Sequence, residues 1–154
     1  MTLAEPYEID VRRLEDFSAV DLYAMLRLRV DVFVVEQACV YPELDGKDID
    51  ALHLRLLSAG TPIACARLFA PAGGRGARIG RVAVSTDHRG QRLGEALMKA
   101  AIAECERRFA GHAIEISAQS YLLTFYRALG FEPVSQEYLE DGIAHVDMVR
   151  AFQT

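Results

Sequence analysis

No tryptophan occurs in this 154-residue chain, and cysteine is nearly as scarce, with three residues, Cys39, Cys65 and Cys105. The count is odd, the spacings are wide and no Cys-x-x-Cys pair occurs. That argues against a disulfide framework and against a thiolate zinc site. Long apolar runs are missing too; none approaches the ~20 residues that a membrane span needs. The opening MTLAEPYEID has no basic stretch followed by an apolar one, so it does not read as a secretory signal. A cytosolic, cytoplasmic protein is expected. Positive charge is in deficit, with 17 Lys and Arg against 22 Asp and Glu, a net charge of −5. Nucleic acid and anionic membrane both want a basic surface, so neither is expected as the main partner. A local basic patch for a phosphate-bearing ligand stays open. Asp45, Asp48 and Asp50 lack the order of a calcium loop and its closing glutamate. They read as a solvated loop able to attract a cationic acceptor, and no metal is expected.

What is present fits one ordinary domain over residues 1–154, with 51% apolar and 25% charged residues. Tyr7 to Val11 alternates as a first strand. Ser18 reads as an N-cap, with a Phe17–Leu22 staple, and Leu22, Leu26, Val30 and Phe33 share one face of the helix it starts. Residues 37–50 form a loop. Leu52, Leu54 and Leu56 alternate as a strand, Ile63 to Phe69 returns, and Arg78 to Val84 follows the glycine loop at 73–76. A helix is expected from about 92 to 109, where Leu93, Leu97, Ala101, Cys105 and Phe109 recur every four residues and Glu95–Lys99 pairs on the wet side. Ala113 to Ser117 is a fifth strand. Ser120 is placed to cap a short helix with Leu122, Phe125 and Leu129 inside, and Gly130 sits where a C′ glycine belongs. Strands near 131–138 and 143–151 close the chain. The order β-α-β-β-β-α-β-α-β-β predicts an α/β (α+β) domain, with helices on both faces of one sheet of about seven strands.

The richest segment is the junction Arg89, Gly90, Gln91, Arg92, Leu93, Gly94, between a strand and a helix. A helix N-terminus presents unpaired N–H groups and partial positive charge, a natural seat for phosphate. Glycines let a ligand approach the backbone, and arginines bond phosphate oxygens. From the hexamer alone, a phosphate site and a plain turn with solvated arginines both stay open. The sequence is neither a Walker motif nor GxGxxG.

This turn resembles the CoA-binding turn of the GNAT acetyltransferases, Arg/Gln-x-x-Gly-x-Gly/Ala. Arg89 and Gly94 match; Arg92 stands where the pattern has glycine. The run Gln119-x-x-Leu122-x-x-Phe125-Tyr126…Gly130-Phe131 resembles the family's second motif, Asn-x-x-Ala-x-x-Phe-Tyr-x-x-x-Gly-Phe, with Gln119 for asparagine and Leu122 for alanine. A narrower likeness runs along the whole chain. Val32 to Gln37, Cys39, Tyr41, Asp45-Gly46 and the tail Tyr138, Glu140 to Gly142, His145 and Met148 resemble the ElaA subfamily.

The resemblance implies a GNAT fold that uses acetyl-CoA to acylate a small amine or a peptide amine. It implies a splayed pair of strands, with Val82, Ala83 and Val84 against the pantetheine arm, the N–H groups of Gln91 to Glu95 on the pyrophosphate, and Gln119 beside the cofactor. Tyr126 matches the tyrosine that protonates the departing thiolate. Only about one lysine-like amine in 10³ is neutral at pH 7, so a general base is expected. Glu36 is the leading candidate, then His53 and His145. Two other readings stand: a CoA-binding sensor without turnover, and a domain for another phosphate-bearing nucleotide. The acceptor and the oligomeric state, a homodimer included, stay open.

Overall fold

The computed structural model describes residues 6–153, so the reading of the first five residues lies outside the described ones. Strand β1 (Glu8–Arg13) leads into α1 (Ala19–Val30), which Ser18 caps by accepting the Asp21 N–H at 3.1 Å. The helix runs on through a wider π turn, Asp31–Glu36. After the loop come β2 (Leu52–Ser58), β3 (Thr61–Phe69) and β4 (Ala77–Val84). Helix α2 (Leu93–Arg108) and β5 (Ile114–Gln119) precede the short α3 (Leu123–Ala128). Strands β6 (Glu132–Pro133), β7 (Tyr138–Glu140) and β8 (Ile143–Arg150) end the chain.

The sheet order is β1-β2-β3-β4-β5-β8-β6, with β7 also on β8. All pairs are antiparallel except β4 with β5. The strand expected over 131–138 is two short pieces on the same edge of β8, giving eight strands. Between them the chain leaves the ladder, and Ser135 Oγ accepts the Asp147 N–H.

The larger core lies under α2 and α3. Leu93, Leu97, Ala101 and Cys105 are buried there as the four-residue spacing predicts, against Leu54, Leu56, Leu68 and Ile116. Cys65 and Cys105 are buried thiols, each pushed up to about 12 by desolvation. α1 covers the other face of β3 and β4 through Met25, Leu28 and Val32, against Cys65 and Ala83. Its buried stripe differs from the expected one. Phe33 is buried as expected, but Leu22 and Leu26 flank the seam, whereas Met25, Leu28, Arg29 and Val32 fill it at i, i+3, i+4, i+7.

At the end of α3 the Gly130 N–H reaches Arg127 O and the Phe131 N–H reaches Tyr126 O, with Gly130 at φ +93°. This is the Schellman cap that the glycine predicted. Ser120 does not cap α3: it sits inside a 3-10 turn, Ser120–Leu122, and its buried Oγ has no partner among the described residues.

Candidate active site

β4 and β5 pair only at Ala77↔Ile114 and Arg78↔Glu115. Gly76 permits this tight start, since a Cβ there would lie 2.2 Å from Ala113 O. Beyond it the strands diverge, so Ile79–Val84 run with a free edge while β5 stays on β8 through Gln119. A bulge in β4 against β3, with Arg81 at φ +50°, bends the strand as it leaves. The opening is a cleft of about 1170 Å³, lined by both strands, the turn that starts α2, and Phe125 and Tyr126 of α3.

Two residues of that turn are left-handed, Gly90 at φ +81° and Arg92 at φ +58°. Arg92 thus keeps a backbone shape that suits glycine, at a cost of about 1 kcal/mol or more. Gly94 opens onto the cleft. A Cβ there would meet only Phe125 Cζ and Val84 Cγ2, both at 4.0 Å, so the protein's own packing does not require glycine. A Cβ on Gly80, lower in the cleft, would meet nothing within 4 Å. Space left beside a free strand edge and a helix N-terminus fits a long thioester with a pyrophosphate.

Arg89 is placed differently from expectation. Its guanidinium grips both carboxylate oxygens of Glu36, at 2.7 Å for Nη2–Oε1, and Nη2 also donates to Val84 O at 3.0 Å. These bonds hold the Glu36 carboxyl below its ordinary range and raise Arg89 above its own. A carboxylate already paired with arginine is a weak proton acceptor, and Glu36 does not line the cleft. Both observations count against the general-base role expected of it. His53 lies outside the cleft as well. It is 1% exposed, its Nε2 sits 2.9 Å from Asp48 O, and burial lowers its pKa.

His145, Gln119 and Tyr126 do come together on the cleft wall, and Gln119 and His145 are direct cross-strand partners. His145 Nδ1 is 2.7 Å from Ile143 O, which can only accept, so Nδ1 carries a proton, while Nε2 lies 3.5 Å from a carboxylate oxygen of Glu140. Tyr126 is 7% exposed, edge-on to Phe125 and Phe131. Burial, with Tyr121 nearby, pushes its hydroxyl up to about 12, so it stays protonated at neutral pH.

With this geometry in view, the comparisons are decisive. The acetyltransferase (GNAT) domain family matches residues 33–152. The chain belongs to the GNAT family. Relatives of this GNAT protein include ElaA of Escherichia coli, 38% identical over 138 residues, covering 88% of this chain and 90% of that protein. A UPF0039 protein of Schizosaccharomyces pombe is 43% identical over 130 residues, 83% of this chain and 86% of its own. In structure it is similar to an acyl-CoA N-acyltransferase from Pseudomonas aeruginosa, with TM-score 0.90, 40% identity, and 95% and 100% of the two chains covered. The crystal structure of Escherichia coli ElaA superposes with TM-score 0.89 and 35% identity, covering 94% and 99%.

The acidic loop of this GNAT domain is not the solvated loop that its composition suggests. Glu43 and Asp48 are buried, and Arg29, only 2% exposed, bonds Glu43 at 2.6 Å and Asp48 at 2.7 Å. Arg67 bonds Asp45 and Asp48, while Arg81 and Tyr41 complete Glu43. Burial opposes ionisation of Asp45, yet Arg67, the Lys47 N–H and Arg81 hold it at about 2. The network pins the loop over the bulge of β4, and the sequence reading missed it. A signal existed: Arg67 interrupts an apolar strand, and Arg29 interrupts an apolar helix stripe.

Proposed function

We propose that the protein moves an acetyl group from acetyl-CoA to a primary amine in the cytoplasm. The free edge of β4, running straight into the Arg89–Glu95 turn, carries this reading. Backbone groups of Val82, Ala83 and Val84 hold the pantetheine arm like an added strand, and the N–H groups from Gln91 to Glu95 hold the pyrophosphate. Gly94 leaves the room that this needs. In this reading the Val82 N–H stabilises the oxyanion that forms as the amine attacks the thioester carbon. Tyr126, protonated at neutral pH as tyrosines ordinarily are, donates to the leaving sulfur. Nε2 of His145 takes the amine proton. Arg89 orders the turn through Glu36 and Val84 and adds positive charge beside the phosphates.

The test is thiol release from acetyl-CoA across a panel of amines, with calorimetry for CoA binding. Amine-dependent release supports the proposal. Tight CoA binding with no release for any amine points to a CoA sensor, and binding of ATP or NAD in place of CoA overturns the reading.

A further inference from the structure

α1 covers β3 and β4, but no helix among the described residues covers the same face of β5 and β8, where Ser117 is exposed. Side chains alternate along strands, and the register sorts those on this face into rows. In one row Phe69 pairs with Arg78, and Arg78 with Glu115. In the next, Arg67 faces Gly80, and across the opening Ser117 faces Asp147. All of these residues line the cleft.

The charges in these rows are unevenly satisfied. Glu115 is engaged by Arg75 at 3.0 Å and by the Gly76 N–H at 2.5 Å. Arg67 is engaged by Asp45 and Asp48. Arg78 stacks on the Phe69 ring, 4.8 Å from its centroid, and has no carboxylate partner among the described residues. Asp147 accepts the Tyr138 hydroxyl at 2.6 Å, which orients it, and has no cationic partner among them either. A half-buried cation and a half-buried anion therefore face one cleft, each without a counter-ion, over a floor of Gly80 and Ser117. Their strands are two apart in the sheet and Asp147 lies one row beyond Arg78, so the two backbone positions are more than about 10 Å apart at ordinary strand spacing. The Arg78 guanidinium rests over Phe69 on the β3 side, and a rotation of this long side chain towards β5 brings it within reach of a molecule that carries an amine and a carboxylate a few bonds apart.

We propose that the acceptor is an amine that also carries a carboxylate, of the amino-acid class, with its carboxylate on Arg78 and its ammonium on Asp147. The proposal rests on the acyl-transfer reading and deepens it. His145 lies two residues from Asp147 on the same face of β8, and in this proposal it takes the proton that the ammonium must lose. The N–C bond forms as the C–S bond breaks. The ammonium gives up two protons in all: one leaves to solvent through His145, and the other replaces the proton that Tyr126 gives to sulfur.

The experiment compares matched acceptors: an amino acid, its carboxamide and the corresponding decarboxylated amine. Thiol release is measured with the wild-type protein, Arg78→Gln and Arg78→Lys, and acceptor binding is followed by ligand-observed NMR with and without CoA. The expected result is a preference of at least about tenfold for the carboxylated member. It appears in KM, is abolished in Arg78→Gln and is partly retained in Arg78→Lys, which a mere folding defect would not produce. Where no acceptor releases thiol, the same preference in NMR binding supports the proposal. Equal use or equal binding across each set, or no binding of any member, overturns it. Failure of the acyl-transfer reading shows elsewhere, as absence of acetyl-CoA binding to the wild-type protein.

Discussion

Arg29→Met tests how the cleft is held. The side chains of Arg29, Glu43 and Asp48 are 2%, 3% and 10% exposed, so the substitution leaves two buried carboxylates short of a partner. Breaking a buried pair in this way costs about 3–5 kcal/mol. Here the lower end applies, because Arg81 remains on Glu43 at 2.9 Å and Arg67 on Asp48 at 3.1 Å. About 3 kcal/mol is a large part of an ordinary total of ~5–15 kcal/mol. It lowers Tm by about 6–12 °C in a domain of this size. The loss carries a pH signature. Burial works to raise the Asp48 carboxyl, but bonds from Arg29 and then Arg67 outweigh it and hold the group below its ordinary range. A carboxyl depressed in the folded state adds stability above its unfolded pKa, near 4, and loses it as pH falls through the folded value. In the variant the burial cost is less opposed, so protonating Asp48 relieves it. The deficit against wild type therefore narrows as pH falls from 7 towards 4. Urea unfolding at a series of pH values measures this. A variant within 1 kcal/mol of wild type, or a deficit flat with pH, refutes the reasoning.

Gly94→Val should keep the fold, since its Cβ meets only ordinary contacts, while weakening CoA by about 100-fold or more through the lost space; calorimetry and a melting curve separate the two effects. Tyr126→Phe should lower kcat about 10- to 100-fold with acetyl-CoA affinity changed less than about threefold, because in the proposed role the hydroxyl acts in the transition state, while the ring packing survives. Arg89→Glu sets a second carboxylate against Glu36 beside the phosphates, and should weaken CoA by about 30- to 1000-fold in the same calorimetric assay.

Local rules carried much of the architecture. The four-residue spacing of α2, the Ser18 cap and Gly130 each state their structure within a few residues, so they are readable without tertiary information. Arg29 is not readable in this way. Its partners lie 14 and 19 residues away, and an arginine in a helix counts as a wet position until those carboxylates are known. Asp48 misleads for the same reason. The split of the last edge strand depends on where β8 offers partners, which no pattern within residues 131–140 records. The opening between β4 and β5 was legible only through the two motifs, because Ile79–Val84 reads like any buried strand. Within the site, strand alternation cannot say which face is covered. His53 and His145 both sit on strands, yet the turn at Lys47–Asp50 closes over His53 while the cleft reaches His145.

The most direct measurement is hydrogen exchange of the free β4 edge with and without acetyl-CoA. Ile79–Val84 has no partner on the β5 side, so part of its backbone should exchange readily in the free protein. Binding as an added strand predicts slowing in residues 79–84 and in the turn at 90–95, with β1 and β2 unchanged. Protection confined to other segments, or none at saturating acetyl-CoA, would contradict the assignment of this cleft as an acyl-CoA site.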